Sequence, residues 1–310
     1  MADMRDTFVK TLLRLAHQRE EVTLVTGDLG FGVLDGYARE LPRQYINAGV
    51  AEQNMTGLAA GMALEGHTVF TYSIANFPTL RCLEQIRNDV LYHGAPVNVV
   101  AIGGGFSYGA LGMSHHATED VAILRALAGL RVYAPCDEHE TVAITEHLVA
   151  QPGPSYLRLD KSKAAAVDAP AFQHGRLRPL QRGADVALLA YGGIMVEVLA
   201  AARTLAAEGL SCSVISAHTL KPFDSAGLAD LARSHRLLVT VEEHNQIGGL
   251  GTLVAETMVD TGALRPLLRL ALPDAYSSIV GSQEYLRQRH GLDATAIAAR
   301  VRTAARELAT

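Results

Sequence analysis

Glu52 is a single carboxylate at the head of a helical run that is otherwise mostly small and apolar. The run reads Asn47-Ala48-Gly49-Val50-Ala51-Glu52-Gln53-Asn54 and continues Met55-Thr56-Gly57-Leu58-Ala59-Ala60-Gly61-Met62-Ala63. A helix apolar all round is a buried helix, which places Glu52 in its first turn and partly out of water. A buried, ionised carboxylate is costly, so it either finds a partner or has its pKa raised until it holds a proton. A carboxyl group poised in that way suits the ring nitrogen of a cofactor. The same acid also meets a purely structural need, because it answers the free N–H groups and the positive end of the helix dipole.

Other segments carry candidate chemistry. Asn76-Phe77 precedes the run Arg81-Cys82-Leu83-Glu84-Gln85-Ile86-Arg87-Asn88-Asp89, where a lone Phe is ordinarily core. Gly103-Gly104-Gly105 opens a loop that reaches His115-His116-Ala117-Thr118-Glu119-Asp120. Glycines after a strand let a ligand approach the backbone closely. Two adjacent histidines invite a metal, but they point in different directions and no third ligand is near, so no metal site is assigned to this chain. Arg158 and Lys161 close a strand-like run and either meet an anion or stay solvated. Gly248-Gly249-Leu250-Gly251 opens a helix that could cradle an anion. Its spacing is not that of a dinucleotide fingerprint, and packing or subunit contact is the expected role.

These residues need a scaffold, and the pattern around them is regular. Strand-like runs at 22–27, 44–47, 68–72, 97–102, 131–134 and 156–159 alternate with helical runs. The helical runs are the N-terminal twenty residues and those from Ala51, Thr79, Glu119 and Glu138. Continuous β-branched runs separated by helices predict a parallel sheet covered on both faces. The stretch 160–182, with Lys163, Pro170 and Gly175, has no clear period and reads as a crossing between domains. A second alternation follows to the C-terminus. The expectation is two three-layer α/β domains in series, at 1–162 and 183–310, joined by a linker at 163–182.

Composition narrows the class. The formal net charge is −5 with no basic cluster, which argues against nucleic acid and anionic membrane as partners. Trp is absent and aromatics make up 5%, so the core must be built from Ala, Leu, Val and Ile. Cys82, Cys136 and Cys212 lie far apart without metal-ligand spacing, which points to a reducing cytoplasm. The N-terminal segment carries charges within its apolar run and reads as an amphipathic helix, not a signal peptide. No apolar stretch is long enough to span a bilayer.

Taken together, these segments resemble the pyrimidine-binding and C-terminal domains of thiamine diphosphate enzymes of the transketolase type. Gly49-Val50-Ala51-Glu52 is similar to that family's Gly-(Val/Ile)-x-Glu helix start. The resemblance implies that Glu52 bonds N1′ of the cofactor's aminopyrimidine and drives it to the imino tautomer, with Val50 beside it. It implies that Phe77 stacks on the aminopyrimidine, with Tyr72 as a pocket wall. The segment Gly112-Met113-Ser114-His115-His116-Ala117-Thr118-Glu119-Asp120 resembles the family's histidine loop. His115 thereby inherits a catalytic, substrate-facing role and His116 a place beside it, while Glu119 is expected to be structural. Lys161, and next Arg158, match the basic residue delivered to the substrate's phosphate. Lys221-Pro222-Phe223-Asp224 matches a turn of the family's C-terminal domain.

The departures are equally specific. Sugar-converting transketolases carry an aspartate four residues before the loop histidine and a histidine at the start of the glycine-rich loop; this chain has Leu111 and Gly103. Losing an acid that pairs a hydroxyl changes discrimination strongly, so an unusual ketose donor is expected. The metal-holding Gly-Asp-Gly and its downstream Asn are missing, since Gly27-Asp28-Leu29-Gly30 lacks the required glycine. The reading is therefore the C-terminal subunit of a two-component transketolase that moves a two-carbon ketol unit from ketose to aldehyde. An N-terminal subunit would hold the diphosphate and Mg²⁺, with this chain a homodimer inside an α2β2 heterotetramer. The alternatives are the β subunit of a 2-oxoacid dehydrogenase, a 1-deoxyxylulose-5-phosphate synthase-like enzyme, or a non-catalytic partner subunit of the same fold.

Overall fold

The aliphatic and β-branched runs become the strands of two sheets in the computed structural model, which describes residues 3–161 and 169–308. The first sheet takes β1 (Val22–Thr26), β2 (Tyr45–Asn47), β3 (Thr68–Ile74), β4 (Val97–Ile102), β5 (Arg131–Tyr133) and β6 (Ser155–Leu159). Their order across the sheet is β5-β6-β4-β3-β1-β2, every pair parallel. All residues of β1, β4 and β6 are buried, as a sheet with helices on both faces requires.

The covering helices are α1 (Met4–Ala16), α2 (Asp35–Glu40), α3 (Glu52–Leu64), a composite helix, α5 (Asp120–Ala126) and α6 (Glu138–Ala150). The composite helix changes pitch along its length. It is 3₁₀ at Leu80–Cys82, α at Leu83–Gln85 (α4) and π at Ile86–Leu91. The helical run expected from Thr79 is thus three short pieces, an irregularity common where a helix must place a functional side chain.

The second sheet takes β7 (Arg178–Gln181), β8 (Val186–Ala190), β9 (Cys212–Ser216), β11 (Leu237–Asn245) and β12 (Leu267–Leu272), in the order β12-β11-β8-β9-β7. It is covered by α7 (Met195–Ala207), α8 (Ser225–Ser234), α9 (Leu250–Thr261), α10 (Gln283–Arg289) and α11 (Ala294–Glu307). β7 is a strand within the stretch expected to be linker. Its antiparallel partner is the edge of β9, and Pro179 has no N–H to offer, so the segment carries no local strand signal. Lys163 lies outside the described residues. β10 (Thr219–Lys221) crosses back to pair antiparallel with β5, making the first sheet seven-stranded. The domains therefore share a sheet edge, and Lys221 Nζ donates to the carbonyls of Arg125 and Leu127. Among the described residues no helix is long and apolar enough to cross a membrane, and the three cysteines are buried and unpaired.

Candidate functional site

The strand order 2-1-3-4 puts the reversal of winding between β1 and β3, and in such sheets the crevice beyond the strands' carboxyl ends is the natural ligand site. Every segment singled out in the first domain ends there: Gly27 after β1, Gly49 after β2, Phe77 after β3, Gly103 after β4 and Lys161 after β6. Asp28 (φ 57°) and Ala75 (φ 22°) are the non-glycine residues of left-handed backbone among those described. They follow β1 and β3, so local strain borders the crevice on both sides. Gly49 (φ 75°) turns the chain from β2 into α3, its N–H donating to Asn47 Oδ1. That turn sets Glu52 in the first turn of α3 and 3% exposed.

A line of contacts runs from Glu52 to Lys161. Glu52 Oε2 accepts from Arg81 Nη1 at 2.8 Å. The Arg81 guanidinium lies 4.7 Å from the centroid of the Phe77 ring. Phe77 meets the His115 ring edge-on at 5.3 Å, and His115 lies 6.3 Å from Tyr108. Lys161 Nζ sits 4.7 Å from the centre of the Tyr108 ring. Asn76 pins the middle of this line, because its Nδ2 donates to the carbonyls of Ser114 and His116. Burial, and then the neighbouring His116, lower the His115 pKa below its ordinary value, which favours the neutral imidazole, and its Nδ1 lies 3.0 Å from the Ser114 hydroxyl. Lys161 and Tyr108 also border a cleft of about 680 Å³ against Gln283 and Arg287 of α10, a volume that suits a small metabolite.

The glycine-rich loop is held from the other domain. The N–H of Phe106 donates to Glu243 Oε1 at 3.0 Å, and Glu243 in turn accepts from Arg287 and Gln283. The Phe106 ring packs against His116 and His290. Gly103 explains the missing loop histidine. It adopts φ 101°, and a side chain there would collide with the ring of Tyr108, which fills the space.

Three expectations are corrected. Arg158 is 2% exposed and its guanidinium is committed to Asp120 (3.0 Å) and Asp160 (3.4 Å), so it has no donor to spare for a substrate phosphate. His116 is buried, its Nε2 3.2 Å from the Gly109 carbonyl, and it supports the loop from beneath. Tyr72 points into the core, its ring stacked with Phe8 of α1, and does not wall the crevice. Val50 is 74% exposed at the rim.

Glu119 Oε2 accepts from the N–H and hydroxyl of Thr118. The anion on the α9 N-terminus is the chain's own Glu242, which accepts from the N–H groups of Leu250 and Gly251. Asp28 pairs with Asn47 Nδ2. Among the described residues, the one cluster of potential metal ligands is Cys136, Asp137 and Glu140, and Arg178 already bridges its two carboxylates.

Sequence reasoning misses Arg81 and Tyr108 as site residues. Their only sequence signals are a cation four residues after Phe77 and an aromatic five residues after Gly103.

The transketolase pyrimidine-binding domain matches residues 1–166, and the transketolase C-terminal domain matches residues 175–297. This chain belongs to the transketolase family. It is 33% identical over 297 residues to a subunit of the apulose-4-phosphate transketolase of Phocaeicola vulgatus, covering 94% of each chain. It is 34% identical over 297 residues to a 6-deoxy-6-sulfo-D-fructose transketolase subunit of Clostridium sp., covering 95% of this chain and 92% of that one. The solved structure of a split-gene transketolase, an inactive beta4 tetramer, superposes with TM-score 0.87 at 33% identity over 98% of both chains.

Proposed function

We propose that this chain is the C-terminal subunit of a two-component transketolase that moves a two-carbon ketol unit from a ketose to an aldehyde. The observation that carries the reading is the line from Glu52 through Phe77 and His115 to Lys161. It offers a buried carboxylate, a ring face, a neutral imidazole and an exposed cation in that order along one crevice.

The first two groups fit an aminopyrimidine: an edge for Glu52 and a face for Phe77. Thiamine diphosphate, when bound, supplies a carbon nucleophile for breaking and making the C–C bond. Glu52 holds the proton at the pyrimidine ring nitrogen. His115 takes and returns a proton at the substrate's hydroxyl. Lys161, steadied over Tyr108, meets the anionic end of the substrate. Among the described residues, Asp28 is spent on Asn47 and the 136–140 cluster on Arg178, which supports placing the diphosphate and Mg²⁺ elsewhere. They are assigned to an N-terminal subunit in an α2β2 heterotetramer. This fits relatives that match nearly end to end and are themselves subunits.

Calorimetric titration tests the division of labour. The isolated chain should bind thiamine diphosphate and Mg²⁺ weakly or not at all, and addition of the N-terminal subunit should restore tight binding and ketol transfer. Tight, stoichiometric binding by the isolated chain would overturn the two-component reading.

Leu111 is 56% exposed at the position where sugar-converting transketolases carry an acid, and Met113 beside it is 53% exposed. An apolar mouth leaves a donor hydroxyl at that position unpaired, so the preferred donor lacks it or carries another group there. Leu111→Asp should shift kcat/KM toward ordinary ketose phosphates by about tenfold or more. An unchanged donor profile would remove Leu111 from the specificity argument.

A further inference from the structure

We infer that Arg81 is a built-in occupant of the pyrimidine pocket: its guanidinium stands where the cofactor ring is to go and must leave when the ring arrives. The inference rests on the assignment of Glu52 and Phe77 to the pyrimidine and extends it to a residue that has no role in the sequence pattern.

Arg81 makes both contacts assigned to the ring. Its Nη1 bonds the buried Glu52 carboxylate at 2.8 Å, and its Cζ lies 4.7 Å from the centre of the Phe77 ring. A guanidinium can do this because it is flat, rich in in-plane N–H donors and able to stack on an aromatic face. An aminopyrimidine is also flat and hydrogen-bonds through its edge. The two are chemically alike at the points where the pocket reads them.

The backbone under Arg81 is tied to its neighbours, while its side chain borders water. Thr79 Oγ1 donates to the Ala75 carbonyl at 2.7 Å, and the Arg81 N–H donates to the Asn76 carbonyl at 3.3 Å. These bonds lock the 3₁₀ turn on which Arg81 stands. The side chain, however, is 48% exposed, whereas that of Glu52 is 4% exposed. The exit of the guanidinium into water is therefore easy, and the carboxylate stays behind.

This asymmetry gives the contact a purpose. Without a ring in place, Glu52 would be a buried charge with no partner, an arrangement that destabilises the pocket. Arg81 neutralises it and keeps Phe77 covered. Ring entry exchanges one partner of Glu52 for another. The apparent cofactor affinity is then lowered by the fraction of molecules in which Arg81 holds the pocket.

The test uses the complex reconstituted with the N-terminal subunit, at saturating Mg²⁺. Dissociation constants are measured for thiamine diphosphate and for inorganic pyrophosphate, which lacks the pyrimidine. Arg81→Met keeps the stem and removes the donors. It should tighten thiamine diphosphate roughly fivefold, the scale of one exposed ion-pair and cation–π contact, and leave pyrophosphate unchanged. Arg81→Lys should fall between wild type and Arg81→Met. The cofactor-free complex of Arg81→Met should melt at a lower temperature than wild type, and the loaded complexes should melt together.

Weaker thiamine diphosphate binding by Arg81→Met would make Arg81 a cofactor contact and overturn the inference. An equal change in both ligands would reduce it to general electrostatics. Glu52→Gln separates the two levels of the argument. If bound thiamine diphosphate exchanges its C2 proton in that variant at the wild-type rate, the pyrimidine assignment falls and the Arg81 role with it. If the exchange slows while Arg81→Met does not bind more tightly, only the Arg81 role falls.

Discussion

Glu52→Gln is expected to slow deuterium exchange at C2 of bound thiamine diphosphate by roughly 10²–10³-fold while leaving the fold intact. The substitution is nearly isosteric, and glutamine can still hydrogen-bond a ring nitrogen. It cannot hold the proton there, which is the part of the interaction that develops charge. The structural cost is small because the partner that loses its ion pair, Arg81, is half exposed and rehydrates. Quenched-exchange NMR on the reconstituted complex reads the rate, and circular dichroism reads the fold. Wild-type exchange in the variant would return Glu52 to the other role its sequence position allows, an acid that answers the dipole of α3.

Arg158→Met is expected to produce the largest loss of stability, about 3–5 kcal/mol, because it strands buried carboxylates. Arg158 binds Asp120 and Asp160 and donates to the carbonyls of Ala117 and Glu243. Asp120 also accepts from Tyr156 OH at 2.5 Å, and Asp160 accepts from the Gly193 N–H. Burial opposes the charge on Arg158, and Asp120 with Asp160 more than offsets it, so the guanidinium stays protonated. Burial already raises the Asp160 pKa against the pull of Arg158. With Arg158 gone that pKa rises further. A group whose folded pKa lies above its unfolded value takes up a proton more readily when folded, so the deficit should shrink as pH falls from 7 toward 5. Urea unfolding across that range measures it. Adding Asp120→Asn and Asp160→Asn should recover part of the loss, since neutral amides need no counter-charge. A loss below about 1 kcal/mol would mean that water reaches the site and that its charges are not truly buried.

The same network shows why a loop residue such as His115 can be positioned accurately. Ala117 and Asp160 lie close in sequence to His115 and Lys161, and Arg158 ties both to β11 through the Glu243 carbonyl. Glu243 then fixes Phe106 on the intervening loop. The second domain therefore shapes the crevice without entering the line of groups assigned to chemistry.

Much of this protein was legible in the order of its residues. The alternation of apolar strands and helices is local information, carried by periodicities of a few residues, and it foretold two α/β units. Glu52 heads α3 because a glycine turn, an acid and a small-residue run follow in that order, and each is a short-range signal. Phe77, His115 and Lys161 meet because parallel strands send all their carboxyl ends to one edge of the sheet. Tertiary structure alone decided what lay beyond such spacings. Arg158 and His116 read as a cation and an imidazole free for a substrate until packing brought Asp120 and Asp160 to the one and the Gly109 carbonyl to the other, and the loop above them is held by Glu243, 137 residues from its partner Phe106. β7 and β10 are too short to announce themselves and exist through the strands they join. Arg81 became visible only when the carboxylate of α3 and the ring after β3 were brought to the same guanidinium. A contact between side chains from different elements leaves no periodic trace in the sequence; it is set by the packing that brings those elements together.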